Sequence, residues 1–159
     1  MSQRVLQVAG VVGTAAYAGV MVAIGLGLGG YWATVPPGVW ATQFEAVFPF
    51  LVPCIAVTLL PGLVGVASQL VAAWRQPDAR RPWLVALAAI GVSLLVTVAY
   101  HVPANLRIWS GSLEAEALRT ELIWWLAFHV VRLGAALVGA VAALGGVASL
   151  RAQGLTQPR

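Results

Sequence analysis

The sequence predicts an all-α fold, an integral membrane four-helix bundle running up-down-up-down with both termini cytoplasmic. Three observations lead there. Of 159 residues, 60% are hydrophobic and only 9% charged, and the mean hydropathy is +0.89. Four apolar stretches, about residues 5–30, 47–74, 83–102 and 123–150, each reach the ~20 residues that a helix needs to cross a ~30 Å hydrocarbon core. The segments between them are short, which makes antiparallel neighbours the simplest packing and leaves one transmembrane domain over residues 1–159.

A net charge of +4 would suggest nucleic acid in a soluble protein. Here the arginines mark helix ends instead, so the expected partner is the lipid bilayer, with no nucleic acid. Arg4, Arg75, Arg80, Arg81, Arg151 and Arg159 fall at the N-terminus, the second connection and the C-terminus. Only Arg107 and Arg119 lie in the third connection, and the first has none. The positive-inside rule then puts both termini in the cytoplasm, in a bacterial cytoplasmic membrane, with residues 31–46 and 103–122 outside.

The first span could be confused with a secretory signal because of Ala16-Tyr17-Ala18, but its apolar run continues to Gly30 and reads as a retained helix. Gly19, Ala23 and Gly27 have small-xxx-small spacing, which predicts close packing. The first loop, Tyr31 to Trp40, is stopped by Pro36 and Pro37 and carries aromatics suited to the membrane boundary.

Glu45 precedes the second span, either as a favourable charge at a helix N-terminus or as an anion for Arg132. Pro49, Pro53 and Pro61 within that span predict a kinked helix and a cavity in its outer half. Its single Cys54 excludes an intramolecular disulfide and reads as a packed thiol.

The third span carries Ser93, Thr97, His101 and Asn105 at four-residue steps. Ser and Thr in such helices usually bond their own backbone one turn back. Pro103 restricts Val102 and loosens the helix, directing Asn105 and Arg107 along the mouth. Residues 112–121 read as a short external helix or as the first turns of the fourth span. The fourth span ends through Gly145-Gly146, with a frayed tail to Arg159.

Glu121, Trp125, His129 and Arg132 lie on one face of the fourth helix, continued by Ala136, Gly139 and Ala143. At ~1.5 Å per residue from Ile123, His129 lies ~9 Å deep and Arg132 ~14 Å. An arginine at such depth costs ~2.5 to 3.5 kcal/mol, so it needs an anion, water or a substrate. His101, Asn105, Trp125, His129 and Arg132 are therefore expected to line one pocket. Trp124 points off this face, as a boundary aromatic.

Pro103-Ala-Asn105 followed by Trp125-x-x-x-His129-x-x-Arg132 resembles the anthrone oxygenase-like family of small four-helix membrane proteins. The first loop, with Trp40 and Phe44 ahead of Pro49, is similar to that family too. His101 ahead of the Pro-x-Asn motif is an addition to the pattern. The resemblance implies an oxygenase that acts on a flat, lipophilic phenolic or anthrone-type substrate with molecular oxygen and no cofactor. Read with the pocket chemistry, a histidine takes the acidic proton while Arg132 and Asn105 stabilise the enolate and Trp125 stacks on the ring. Glu45 and Glu121 complete the substrate-binding set, and a homo-oligomer is compatible with this reading.

Two alternatives come from other classes. His101 and His129, with Glu45, could hold a transition metal such as copper, iron or zinc, or the two histidines could ligate haem, making a membrane redox protein. A non-enzymatic membrane subunit would instead use the polar cluster for packing. That reading expects a fully paired Arg132 and no cavity.

Overall fold

A computed structural model describes residues 2–156, with side chains described for residues 2–150. Four long helices account for nearly all of it: α1, Gln3–Trp32; α2, Pro37–Ala72; α3, Pro77–Trp109; and α4, Ala115–Thr156. No strand occurs among the described residues. All four helices are long and apolar enough to cross a membrane. The side chain of Arg151 and the tail expected to fray toward Arg159 lie outside the described residues.

The helices are longer than the apolar runs alone imply, so the loops expected over 31–46 and 103–122 shrink to 33–36 and 110–114. Pro37 starts α2 at a first-turn position, where its missing N–H costs nothing. Pro103 does not end α3. The turns just before it, Thr97–His101, are π-helical, and this widening accommodates a residue that cannot join the usual ladder. The 112–121 run supplies the first turns of α4, where Leu118 and Leu122 are buried.

α1 and α2 are held by a glycine seam, but it is not the one that spacing suggests. Gly10 and Gly13 meet Gly65 and Gly62, and a Cβ on Gly10 would stand 3.1 Å from the Gly65 carbonyl carbon. Gly19 and Gly27 face open space. The rising partner numbers on one helix against falling numbers on the other make the pair antiparallel, and backbone contact this close is available only to glycine. α3 and α4 pack likewise, with Gly139 against Ala86 and Ala89, and Gly146 under the Trp83 indole.

The buried face of α4 runs through Trp125, His129, Arg132, Ala136 and Ala143, as its periodicity requires. The outside is apolar: Leu26, Phe50, Val57, Leu95, Val130 and Val141 are all exposed, which suits contact with lipid. Trp124 is exposed, as expected. Cys54 is exposed as well, on the outer face of α2, and is not the packed thiol that its position suggested.

Pro49, Pro53 and Pro61 sit inside the continuous α2, and the interior space beside its outer half is small, about 30 Å³. Phe44 and Phe48 stack at 5.1 Å and Trp32 packs on Phe44 at 5.7 Å, so aromatic rings occupy that volume. A groove of about 360 Å³ forms instead on the apolar outside, between Gly27 and Leu28 of α1 and Leu51 and Cys54 of α2.

Candidate functional site

Two helices assemble the core of the site. On α4, Trp125 and His129 are one turn apart, and their rings stack 5.2 Å apart with planes within 5°. His101 of α3 meets both, at 5.3 Å from Trp125 and 6.2 Å from His129 between centroids. Asn105, one turn further along α3, accepts the Trp125 Nε1–H on Oδ1 at 2.9 Å. The antiparallel pairing of α3 with α4 thus brings together four of the residues singled out by spacing.

α1 closes the site from the other side. His129 donates from Nε2 to the Met21 carbonyl oxygen at 2.8 Å. The approach is possible because residue 25 is glycine: a Cβ there would stand 2.8 Å from His129 Cδ2 and 2.9 Å from Nε2. The turns from Ala23 to Gly29 are π-helical, which shifts the backbone ladder by one residue and lets an outside donor reach a carbonyl beside the break. The second π-helical segment ends at His101, whose Nδ1 faces the Val96 carbonyl in a long 3.5 Å contact. Both irregular turns therefore flank the histidine pair.

Arg132 lies one turn below His129 and is 4% exposed. Its Nη2 donates to the Met21 thioether at 3.2 Å, a weak acceptor. The Tyr17 hydroxyl, which also pairs with Ser93 of α3, faces the guanidinium. Ser93 therefore bonds across the bundle, while Thr97 bonds back to the Ser93 carbonyl at 2.7 Å as expected. Neither Glu45, the anion expected for Arg132, nor Glu121, on the same face of α4, pairs with it. Glu45 is exposed, and Glu121 pairs with Arg107 at 2.9 Å and accepts from Tyr100 at 2.8 Å.

Within this cluster three buried polar atoms have no partner: His101 Nε2, His129 Nδ1 and Arg132 Nε. A carbonyl can only accept, so His129 carries its proton on Nε2 and its lone pair on Nδ1. The long 3.5 Å contact of His101 does not fix its tautomer in the same way. The cluster thus presents an acceptor on His129, a second ring nitrogen on His101 and one charged donor, each costly to leave unmade inside a dry bundle. Arg132 also borders a chamber of about 30 Å³, with Asn105, Trp125, Phe44 and Phe48 but neither histidine in its lining, room for a molecule the size of water.

Two expectations change. The pocket is not open to a flat tricyclic molecule, and the ring face of Trp125 is taken by His129 rather than free to stack on a substrate. Met21, Tyr17 and Gly25 belong to the site although the sequence reading passed over them. Their spacing of four puts all three on one face of α1, and that was the available signal. Trp32, expected at the membrane boundary, is 2% exposed and meets Trp125 edge to face at 5.9 Å. No protein-family model, curated protein or solved structure matches this chain.

Proposed function

We propose that this chain is a membrane-embedded enzyme of the cofactor-independent oxygenase type, which binds the anion of a flat, lipophilic phenolic or anthrone-type substrate beside Arg132. The observation that carries this reading is Arg132 itself. A guanidinium buried in an apolar bundle, with a thioether and a hydroxyl but no carboxylate among the described residues, is poised for an anion that arrives from elsewhere.

In the reaction so proposed, His129 Nδ1 or His101 Nε2 takes a proton from the acidic methylene carbon. The enolate oxygen rests on Arg132 Nε–H, a donor already aimed and dry. The carbanion then gives electrons to molecular oxygen. One oxygen atom becomes the new carbonyl, the other leaves as water, and the methylene loses both hydrogens. The chamber of about 30 Å³ suits dioxygen or water, so the ring system must enter by displacing Phe44 and Phe48 at the α2 side.

We further propose that the helices run up-down-up-down with both termini cytoplasmic, which turns the loops 33–36 and 110–114 outward. Of the arginines outside the helix interiors only Arg107 and Arg119 lie at that end, and this is the asymmetry that supports the orientation.

A second reading, a metal or haem held by His101 and His129, is favoured by one feature. Each ring turns its other nitrogen toward a backbone carbonyl, as metal-bound histidines do. The neighbouring guanidinium works against a cation, and no group of three His, Cys, Asp or Glu converges among the described residues.

An optical spectrum and metal analysis of the purified protein separate the two. The oxygenase reading expects aerobic conversion of anthrone to anthraquinone without a Soret band or stoichiometric copper, iron or zinc. A bound metal that is lost in both His101→Ala and His129→Ala would replace it.

A further inference from the structure

Apart from the polar chamber, a cleft of about 530 Å³ lies between the first loop and α4. Trp32 and Trp40 wall it on one side, Leu122 and Leu126 on the other, and Arg119 stands at its rim. Three features there favour a negative charge. Arg119 is exposed and has no carboxylate within ion-pair distance among the described residues. Trp40 is 2% exposed, and its indole Nε1–H has no acceptor. The 36-residue α2 begins here at Pro37; the Val39 and Trp40 N–H groups bond the Pro36 carbonyl and Pro37 has none, which leaves the Gly38 N–H at its positive end. Glu116 shares the outer rim with Arg119, but it does not line the cleft.

The walls set the other half of the ligand. Two indoles 6.2 Å apart between centroids, with two leucines opposite, suit a flat apolar body rather than a hydrated ion. Trp32 also touches Trp125, which stacks on His129, so two indoles in series separate this cleft from the histidine pair.

We propose that the cleft is a binding site for a lipophilic aromatic carboxylate, with its ring against Trp32 and Trp40 and its carboxylate on Arg119 and the α2 N-terminus. Calling this ligand a substrate rests on the oxygenase reading above, whereas the binding itself does not. The cleft then works as a loading site outside the polar chamber.

The test uses the full chain in detergent, with 9-anthracenecarboxylate as probe and energy transfer from tryptophan as the readout. Saturable transfer is expected, weakened about tenfold in Arg119→Gln through loss of one charge-assisted contact. Trp40→Phe, checked for an unchanged Tm, should weaken it as well. The neutral 9-anthracenemethanol should bind wild type and Arg119→Gln alike. Equal affinity of the carboxylate for wild type and both variants overturns the proposal. Displacement of the probe by phosphatidylglycerol, but not by phosphatidylcholine, also overturns it, since the site would then hold a lipid headgroup. Arg132→Gln should leave probe affinity unchanged, so a failed oxygenase reading and a failed cleft give different results.

Discussion

His129 donates its Nε2–H to the Met21 carbonyl across 2.8 Å, and this one bond determines what the rest of the ring can do. It fixes the tautomer, aligns the ring on Trp125, and leaves Nδ1 as an unpaired acceptor next to Arg132. The bond exists because α1 comes close at Gly25. A glycine on one helix thus sets the chemistry of a histidine on another.

Gly25→Ala should push His129 off the Met21 carbonyl and cost about 1 to 3 kcal/mol, the usual penalty of overpacking a tight contact. Gly65→Ala, in the α1–α2 seam, should be at least as damaging, because the atoms it meets are backbone. Gly19→Ala faces open space and should be neutral or slightly stabilising. Thermal unfolding of the three variants in detergent checks the order. Equal melting temperatures for Gly19→Ala and Gly65→Ala would contradict the seam.

Much of this was readable in the residues, and the reasons for the rest are physical. Hydropathy runs located the four helices because lipid demands them. Steps of four and three residues placed Trp125, His129 and Arg132 on the buried face of α4, with His101 and Asn105 opposite. What the spacing missed was direction. Gly19, Ala23 and Gly27 have the pattern of a packing seam, but only contacts reveal that Gly10, Gly13 and Gly25 do the packing. The π-helical turns at Ala23–Gly29 and Thr97–His101 rotate everything beyond them, and regular periodicity cannot anticipate such a break. Glu121 illustrates the limit: it shares a nominal stripe with Arg132, yet Arg107 and Tyr100 hold it at the mouth.

Membrane orientation is testable by cysteine labelling. Cys54 is exposed on α2, so Cys54→Ala should give a folded background. A cysteine replacing Ser110 should then react with an impermeant reagent from outside, and one replacing Arg80 only after the membrane is opened. External labelling at position 80 would reverse the orientation, and the mouth of the site with it.

Stability distinguishes a functional arginine from a structural one. Breaking a buried ion pair by removing one partner costs about 3 to 5 kcal/mol. Arg132 has no carboxylate to abandon among the described residues, so Arg132→Met, which keeps length and apolar volume, should leave the Tm unchanged or raise it. A fall equivalent to several kcal/mol would instead show that the Met21 and Tyr17 contacts make Arg132 a packing element, as a non-enzymatic subunit requires.

The most direct test of the central claim, that Arg132 holds an anionic intermediate, is the aerobic turnover of anthrone by Arg132→Gln. Glutamine keeps hydrogen-bonding capacity and removes the charge. Losing one pre-aimed donor to a developing oxyanion typically costs about a hundredfold or more in rate. The account predicts a folded variant whose rate of oxygen consumption falls by about that factor. Full turnover in folded Arg132→Gln would contradict it and remove Arg132 from the mechanism.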